Sequence, residues 1–587
     1  MLRRVFASLG VLATIAIGIW AAQQHLQDPP LQQDDHAFAS KLASNPFSAN
    51  DTSPPIDRPW MPTIDLATMV DRPDPAVLHS EFLPGGFDNG PGENPPSPQV
   101  TTVDQKLLVT TDNPSNRKPA DQSQTKLGED ITEQVRQLNK NASWPKGFRS
   151  GSIELIRNHP AQVQRDKNGF VIKLPSNSPI PTPTVYNGRL YVSGGFHSRQ
   201  FFCFDATTGE PVWSANLSDD GPSSAVCDDD VVVFNTESCT LFALDAKTGK
   251  HLWSHWLGDP LTSTPAIANG MVFTSYPAHG QVQGASHVFI ALELKSGKIL
   301  WQRWIDSDVL SAPVAVGDEV YATSFAGTVY RFKQKDGTIV SAHRRRATSA
   351  PTVVGEEIYC TQRADIDKGQ NIKQAAEALV GLNKQSHEKG LFAALRAAPY
   401  LDAKIQERSA LQKQAASLDA ANGFAGGAPP AANVKAAAEN VGVFNVSTMQ
   451  NFQGSRILYF RNQLFSSMGD RLVCVDPATG KERWQLAVKG DMLKLGGHLA
   501  APPAAAGGLI VLASCDGNLL LIDPDKGTVR HSYTIKHPVR SQPAIVGGRI
   551  YAGTQDGRVV CINTGDPQLT GWYTWGGDMS HTNAVRE

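Results

Sequence analysis

One nine-residue pattern constrains this chain more than any other feature. An acidic residue is followed four positions later by glycine, and the glycine four positions later by tryptophan. The pattern runs Asp205–Ala206–Thr207–Thr208–Gly209–Glu210–Pro211–Val212–Trp213, then Asp245 through Gly249 to Trp253, Glu293 through Gly297 to Trp301, and Asp476 through Gly480 to Trp484. Copies around Gly337 and Gly527 keep the glycine without the tryptophan, and degenerate copies span 383–392 and 563–572, which makes eight. A unit of about 40 residues that cannot bury its apolar faces alone must stack on copies of itself.

The surroundings of each copy are also shared. A small/proline segment comes first, as in Thr264–Pro265–Ala266–Ile267 or Ser541–Gln542–Pro543–Ala544. A Gly/Asp/Asn turn and a β-rich run follow, as in Gly188–Arg189–Leu190–Tyr191–Val192, then a second run ending at the acidic residue, such as Thr240–Leu241–Phe242–Ala243–Leu244. Four short strands per repeat form one propeller blade. The expected fold is therefore all-β: an eight-bladed β-propeller with four-stranded blades, at about 181–218, 219–258, 261–306, 309–345, 347–401, 447–488, 497–536 and 539–576. The acidic side chain accepts turn amides, the glycine supplies positive φ, and the tryptophan packs on the next blade. Asp205, Gly209, Trp213, Asp245, Gly249, Trp253, Gly297, Trp301, Asp476, Gly480 and Trp484 are thus structural docking residues. The strand-like segment 169–174 precedes the first blade and is expected to pair with the last. The alternative gives the outer strand to 571–575 and closes the ring by packing alone.

The repeat resembles the tryptophan-docking motif of the eight-bladed propellers related to pyrroloquinoline quinone (PQQ) enzymes, A-x-D-x-x-T-G-K-x-x-W. Residues 243–253 match it throughout, and 474–484 match except that Cys474 replaces the alanine. The resemblance covers roughly 170–580 and implies the fold. The family holds both quinoprotein dehydrogenases and a non-catalytic, BamB-like branch of envelope scaffolds. The dehydrogenases stack PQQ on a disulfide between adjacent cysteines and hold calcium beside a catalytic aspartate. Here no two of the seven cysteines are adjacent, and no C-x-x-C-H or H-E-x-x-H occurs. Cys203, Cys474 and Cys561 alternate with apolar neighbours as small core residues. No catalytic, metal-binding or cofactor-binding residue is assigned, and neither PQQ nor calcium is expected as a cofactor. The simple BamB lipoprotein pattern also lacks a counterpart here, because no cysteine lies in or just after the N-terminal apolar run.

That run, residues 5–22, is uncharged and follows Arg3 and Arg4. It reads as a short inner-membrane anchor helix with the remainder translocated, the alternative being a cleaved signal and secretion. Sixteen of the 39 prolines fall between Pro29 and Pro119, so residues 23–130 read as a disordered tether. Short apolar clusters such as Leu107–Leu108–Val109 punctuate it. Residues 131–180 lead into the propeller at 181–580, and an Ala-rich helical insertion, 402–446, leaves one face. His197–Ser198–Arg199 reads as a solvated hairpin, Asp228–Asp229–Asp230 as a turn, and His343–Arg344–Arg345–Arg346 as an exposed connector. A net charge of −2 argues against nucleic acid. The reading is a periplasmic binding or scaffold propeller with an envelope protein or a small ligand as partner. A PQQ-dependent dehydrogenase and a carbohydrate- or small-ligand-binding propeller are the alternatives.

Overall fold

The structure, a computed structural model, describes residues 129–583 except 141, 145–146, 158, 238–239, 259–262, 283–284, 368–372, 385–388, 399–438, 442–455 and 491–497. The expected anchor at 5–22, nearly all of the tether and most of the 402–446 insertion lie outside the described residues. Among the described residues no helix is long and apolar enough to cross a membrane.

Alternation of apolar residues with turn residues produces eight antiparallel sheets of consecutive short strands. Blades I to VIII occupy residues 184–217, 226–256, 266–305, 314–344, 352–397, 457–487, 504–534 and 544–563. Blade V carries a small extra hairpin, Ile366–Asp367 with Lys373–Gln374, between its second and third strands. The innermost strand of most blades is three residues long, such as Thr184–Tyr186 or Ala544–Val546. Apolar clusters between blades form the core: Tyr191, Phe201 and Trp213 of blade I pack with Phe234 and Phe242 of blade II.

In seven blades the register between the third and fourth strands slips by one residue at the same place, as at Ala243/Leu244 and Cys474/Val475. This bulge sits beside the docking position. The residue paired with the tryptophan there is small: Cys203 opposite Trp213, Ala243 opposite Trp253, Ala291 opposite Trp301 and Cys474 opposite Trp484. A small partner leaves the indole room to lie over the next blade.

Blade VIII has only three strands of its own. Its fourth is Gly169–Lys173, paired along its length with Arg558–Asn563, and Gln162–Asp166 adds a fifth. The ring is thus sealed by a strand from the N-terminal side. Phe170 pairs with Cys561, the register that elsewhere holds tryptophan. This corrects the reading of 563–572 as an eighth repeat copy: Trp572 is not a docking tryptophan. Residues 571–575 supply no outer strand either, since Trp572 bridges to Ile545 in the innermost strand of blade VIII. The chain turns inward after Asn563 because the outer place is already filled.

Phe170 is therefore the closing residue. Phe170→Ala should lower stability by about 3–5 kcal/mol, the usual loss for emptying a buried aromatic site, read as a reduced urea midpoint. An unchanged midpoint would place closure elsewhere.

Candidate functional site

The docking module is built from a turn on one blade and an aromatic on the blade before it. Asp245 Oδ1 accepts the Thr248 amide at 2.8 Å and the Thr248 hydroxyl at 2.6 Å. Asp205 does the same for Thr208, and Asp476 accepts the Ala478 and Thr479 amides. Arg483, followed by the Thr479 amide, holds the Asp476 carboxyl down at about 2. Gly249, with φ +71°, lies so close beneath Trp213 that a Cβ would come within 2.6 Å of the ring. Only glycine meets both demands.

With the glycine as floor, the indole N–H reaches the carbonyl of the residue after the acidic position. Trp213 Nε1 donates to Ala246 O at 3.1 Å, Trp253 to Leu294 O at 2.8 Å, Trp301 to Gln334 O at 2.7 Å and Trp484 to Pro524 O at 2.9 Å. At the closing junction Phe170 covers Gly209 but has no donor, and Ala206 O is left with Tyr551 Oη at 2.6 Å, as Tyr191 Oη donates to Ala246 O at 3.0 Å beside Trp213.

The blade IV–V junction inverts the arrangement. Its docking position is Ser341, and the residue opposite is Arg331. Large and small have exchanged places across the strand pair. The Arg331 guanidinium donates to Lys384 O at 2.8 Å, the carbonyl after Asn383, and so replaces the indole. It is held by Glu319 at 2.9 Å, with Tyr321 Oη donating to the same carboxylate at 2.8 Å. Burial alone would raise the Glu319 carboxyl, but the hydrogen bonds from Tyr321 and Arg331 keep it below its ordinary value. A cavity of about 20 Å³, lined by Arg331, Ser341, His343 and Arg345 among others, lies where an indole would stand. Sequence reading missed Arg331; its place two residues before Lys333, in register with Ala243 and Cys474, was the available signal.

A second construction fills the axis of the ring. The middle amides of the innermost strands point toward the axis, where an unpaired buried N–H is costly. The C-terminal segment supplies carbonyls for five of them. Ile545 donates to Trp572 O, Val185 to Tyr573 O at 3.1 Å, Ile267 to Met579 O at 3.2 Å, Ala315 to Ser580 O at 3.0 Å and Tyr459 to Asn583 O at 3.3 Å. These belong to blades VIII, I, III, IV and VI. Leu569 and Thr570 first bond the turn glycines Gly548 and Gly507, so the segment enters on the side of the docking turns. Trp575 is buried among residues of blades IV and V, and His581 stacks edge-on against it at 4.4 Å. Burial pushes the His581 imidazole down to about 3, and neither ring nitrogen makes a hydrogen bond among the described residues.

The other flagged residues fall as follows. Asp228 ends a strand and Asp229–Asp230 form its two-residue hairpin turn, with Lys295 at 2.6 Å from Asp229 and Lys247 at 4.0 Å from Asp230. The His197 hairpin is solvated at His197 and Arg199 as expected, while Ser198 between them is buried and the His197 amide donates to buried Glu237. The 343–346 connector is half interior: His343 and Arg345 are buried, while Arg344 and Arg346 pair with Glu129 and Asp365. The six described cysteines are free and buried, and burial pushes the Cys203, Cys474 and Cys561 thiols up to about 12. From the 402–446 insertion, residues 439–441 are helical, and Asn440 donates to Ala347 O at 2.7 Å.

The family model described as outer membrane protein assembly factor BamB matches residues 202–286, 278–423 and 432–582. No curated protein matches the sequence. Among solved structures, BamB from Moraxella catarrhalis is 16% identical, with 68% of this chain and 99% of that chain covered and a TM-score of 0.43. The quinohemoprotein alcohol dehydrogenase ADHIIG from Pseudomonas putida HK5 is 13% identical, with 68% and 76% covered and a TM-score of 0.43.

Two outcomes follow from the geometry. Arg331→Met leaves Lys384 O without its donor and takes one of three partners from half-buried Glu319, which keeps Tyr321 and Lys333. It should cost about 1–3 kcal/mol, and adding Glu319→Gln should recover part of that loss in a urea double-mutant cycle. His581 carries the pH dependence of the axial segment. The unfolded chain takes up this proton below about 6.5 while the folded chain refuses it down to about 3. Stability is therefore complete above pH 6.5 and lost as pH falls, by on the order of 1 kcal/mol per pH unit. His581→Phe should flatten that component between pH 6.5 and 4 when unfolding midpoints are compared with the parent's.

Proposed function

The chain belongs to the PQQ-like propeller family whose model is described as outer membrane protein assembly factor BamB, and from that premise we propose that it is a non-catalytic, protein-binding scaffold of the cell envelope. The observation that carries this reading is the filled axis. Residues 572–583 use backbone carbonyls and buried aromatic rings to occupy the ring centre from the docking-turn side. A ring filled in this way offers its loops and rims for recognition, and rigid discs with variable loops suit partner binding. The docking aspartates, glycines and tryptophans act in the proposal as blade-to-blade fasteners. Their side chains are engaged within the ring and are not available to a ligand.

The proposed location is the periplasmic side of the envelope, with residues 5–22 as inner-membrane anchor and the proline-rich stretch as tether. The proposed partner is a protein of envelope assembly, in keeping with the family's description. In the test, the full chain serves as bait in envelope extracts, and separately PQQ and Ca²⁺ are added to the purified protein. A reproducible protein partner without dye-linked alcohol oxidation is expected. Stoichiometric PQQ binding with turnover would replace the scaffold by a quinoprotein dehydrogenase.

A further inference from the structure

The outer edges of the blades are treated unequally. The chain from Glu129 to Asp166 runs along the outside of the ring as a belt. Residues 129–132 bond the outer strand of blade IV, through Ile131 N to Ala342 O at 2.9 Å and Arg344 N to Glu129 O at 3.1 Å. The helix Thr132–Lys140 carries the chain to blade III, where Asn139 accepts the Trp304 amide at 2.8 Å and Trp144 stacks on Trp304. Arg149 O then accepts the Trp256 amide of blade II at 2.7 Å. Ile153–Leu155 pairs with the outer strand of blade I, and Gln162–Asp166 covers blade VIII. The belt moves from blade IV to III, II, I and VIII, one blade at each step of about five to ten residues.

Among the described residues nothing pairs with the outer strands of blades V, VI and VII. Of blades VI and VII, blade VI has the more open edge. Along Glu482–Ala487 four of six residues are exposed and two half-buried. Open strand edges are pairing templates. Followed toward the N-terminus, the described belt ends at Glu129 on blade IV, blade V is next in the belt's order, and 128 residues precede Glu129. Residues 112–128 are polar and contain Pro114 and Pro119, which suits a crossing over rather than a strand. Upstream of them lies Thr101–Thr102–Val103–Asp104–Gln105–Lys106–Leu107–Leu108–Val109–Thr110–Thr111, rich in β-branched and apolar residues within a proline-rich region. It sits 18 to 28 residues before Glu129, the length of two blade steps at the upper end of the belt's spacing.

We propose that residues 101–111 continue the belt and add as a fifth strand to the outer edge of blade VI, against Glu482–Ala487. The recognition is β-augmentation, in which main-chain hydrogen bonds supply affinity and alternate side chains supply register. The segment 23–130 is then divided: the part before residue 101 remains tether, and the part after it belongs to the propeller.

Hydrogen exchange on the full chain tests this. The Glu482–Ala487 amides should exchange at least tenfold more slowly in the parent than in a Leu107→Pro/Val109→Pro variant, since proline removes the donors a new strand must supply. The blade I strand Pro211–Leu217, already covered by Ile153–Leu155, should be unchanged and reports that the ring is intact. A photo-crosslinker at position 108 should mark residues 482–488 of the same molecule. Equal exchange in parent and variant, fast or slow, would overturn the proposal, as would crosslinks to another region. Crosslinks between two molecules would give the edge to a second copy instead and overturn it equally.

Discussion

The ring depends on one contact, complete at four of its eight junctions: an aromatic face laid on a bare glycine turn, with a polar hydrogen donated to the carbonyl one residue past the turn's first position. Each component is needed for the others. The aspartate fixes the turn, the turn presents a glycine without a Cβ, and the glycine lets the indole descend until its N–H meets the carbonyl. The strand bulge and the small residue opposite the tryptophan set the height of the ring over the turn. The substitutions support this physical account. At the closing junction Phe170 supplies only the face, and the carbonyl keeps the tyrosine donor, Tyr551, that Tyr191 also provides beside Trp213. At the blade IV–V junction an arginine supplies the donor from the neighbouring strand while the tryptophan site shrinks to serine. The carbonyl is satisfied in each case although the donor differs.

A circular stack of twisted sheets leaves two rows of unpaired backbone, one lining the axis and one on the circumference. This chain spends its termini on both rows. The C-terminal segment meets five axial amides with carbonyls, and the segment before blade I runs along five outer edges. Both are responses to the cost of an unpaired edge strand. The inward turn after Asn563 and the sealing strand Gly169–Lys173 are one event, since the strand that completes blade VIII displaces the chain that would otherwise have continued there.

These arrangements bear on function. Filling the axis with Trp572, Trp575 and His581 concentrates buried groups at the centre of the ring, which in the proposed reading leaves recognition to the rims. It also makes the centre sensitive to acid, because a buried imidazole without hydrogen-bond partners cannot accept a proton in the folded state.

The amino-acid sequence by itself determined the unit and its number. The spacing of Asp245, Gly249 and Trp253 and its copies identifies the blade, because turn chemistry and aromatic packing are local and repeat in register. The buried state of Cys203, Cys474 and Cys561 was equally legible from their apolar neighbours. Only the tertiary structure decided where unlike segments meet. Trp572 and Phe170 are both aromatic residues near a degenerate copy, and which of them docks depends on which strand reaches blade VIII. Arg331 stands in register with Ala243 and Cys474, but its docking role is decided only when Lys384 O, more than fifty residues later, is brought against it. The burial of His343 and Arg345 likewise follows from the packing of one blade on the next. Local chemistry is written in adjacent residues, whereas ring closure, edge covering and the filling of the axis are contacts between distant ones, fixed when eight sheets close and their unpaired backbone must find partners.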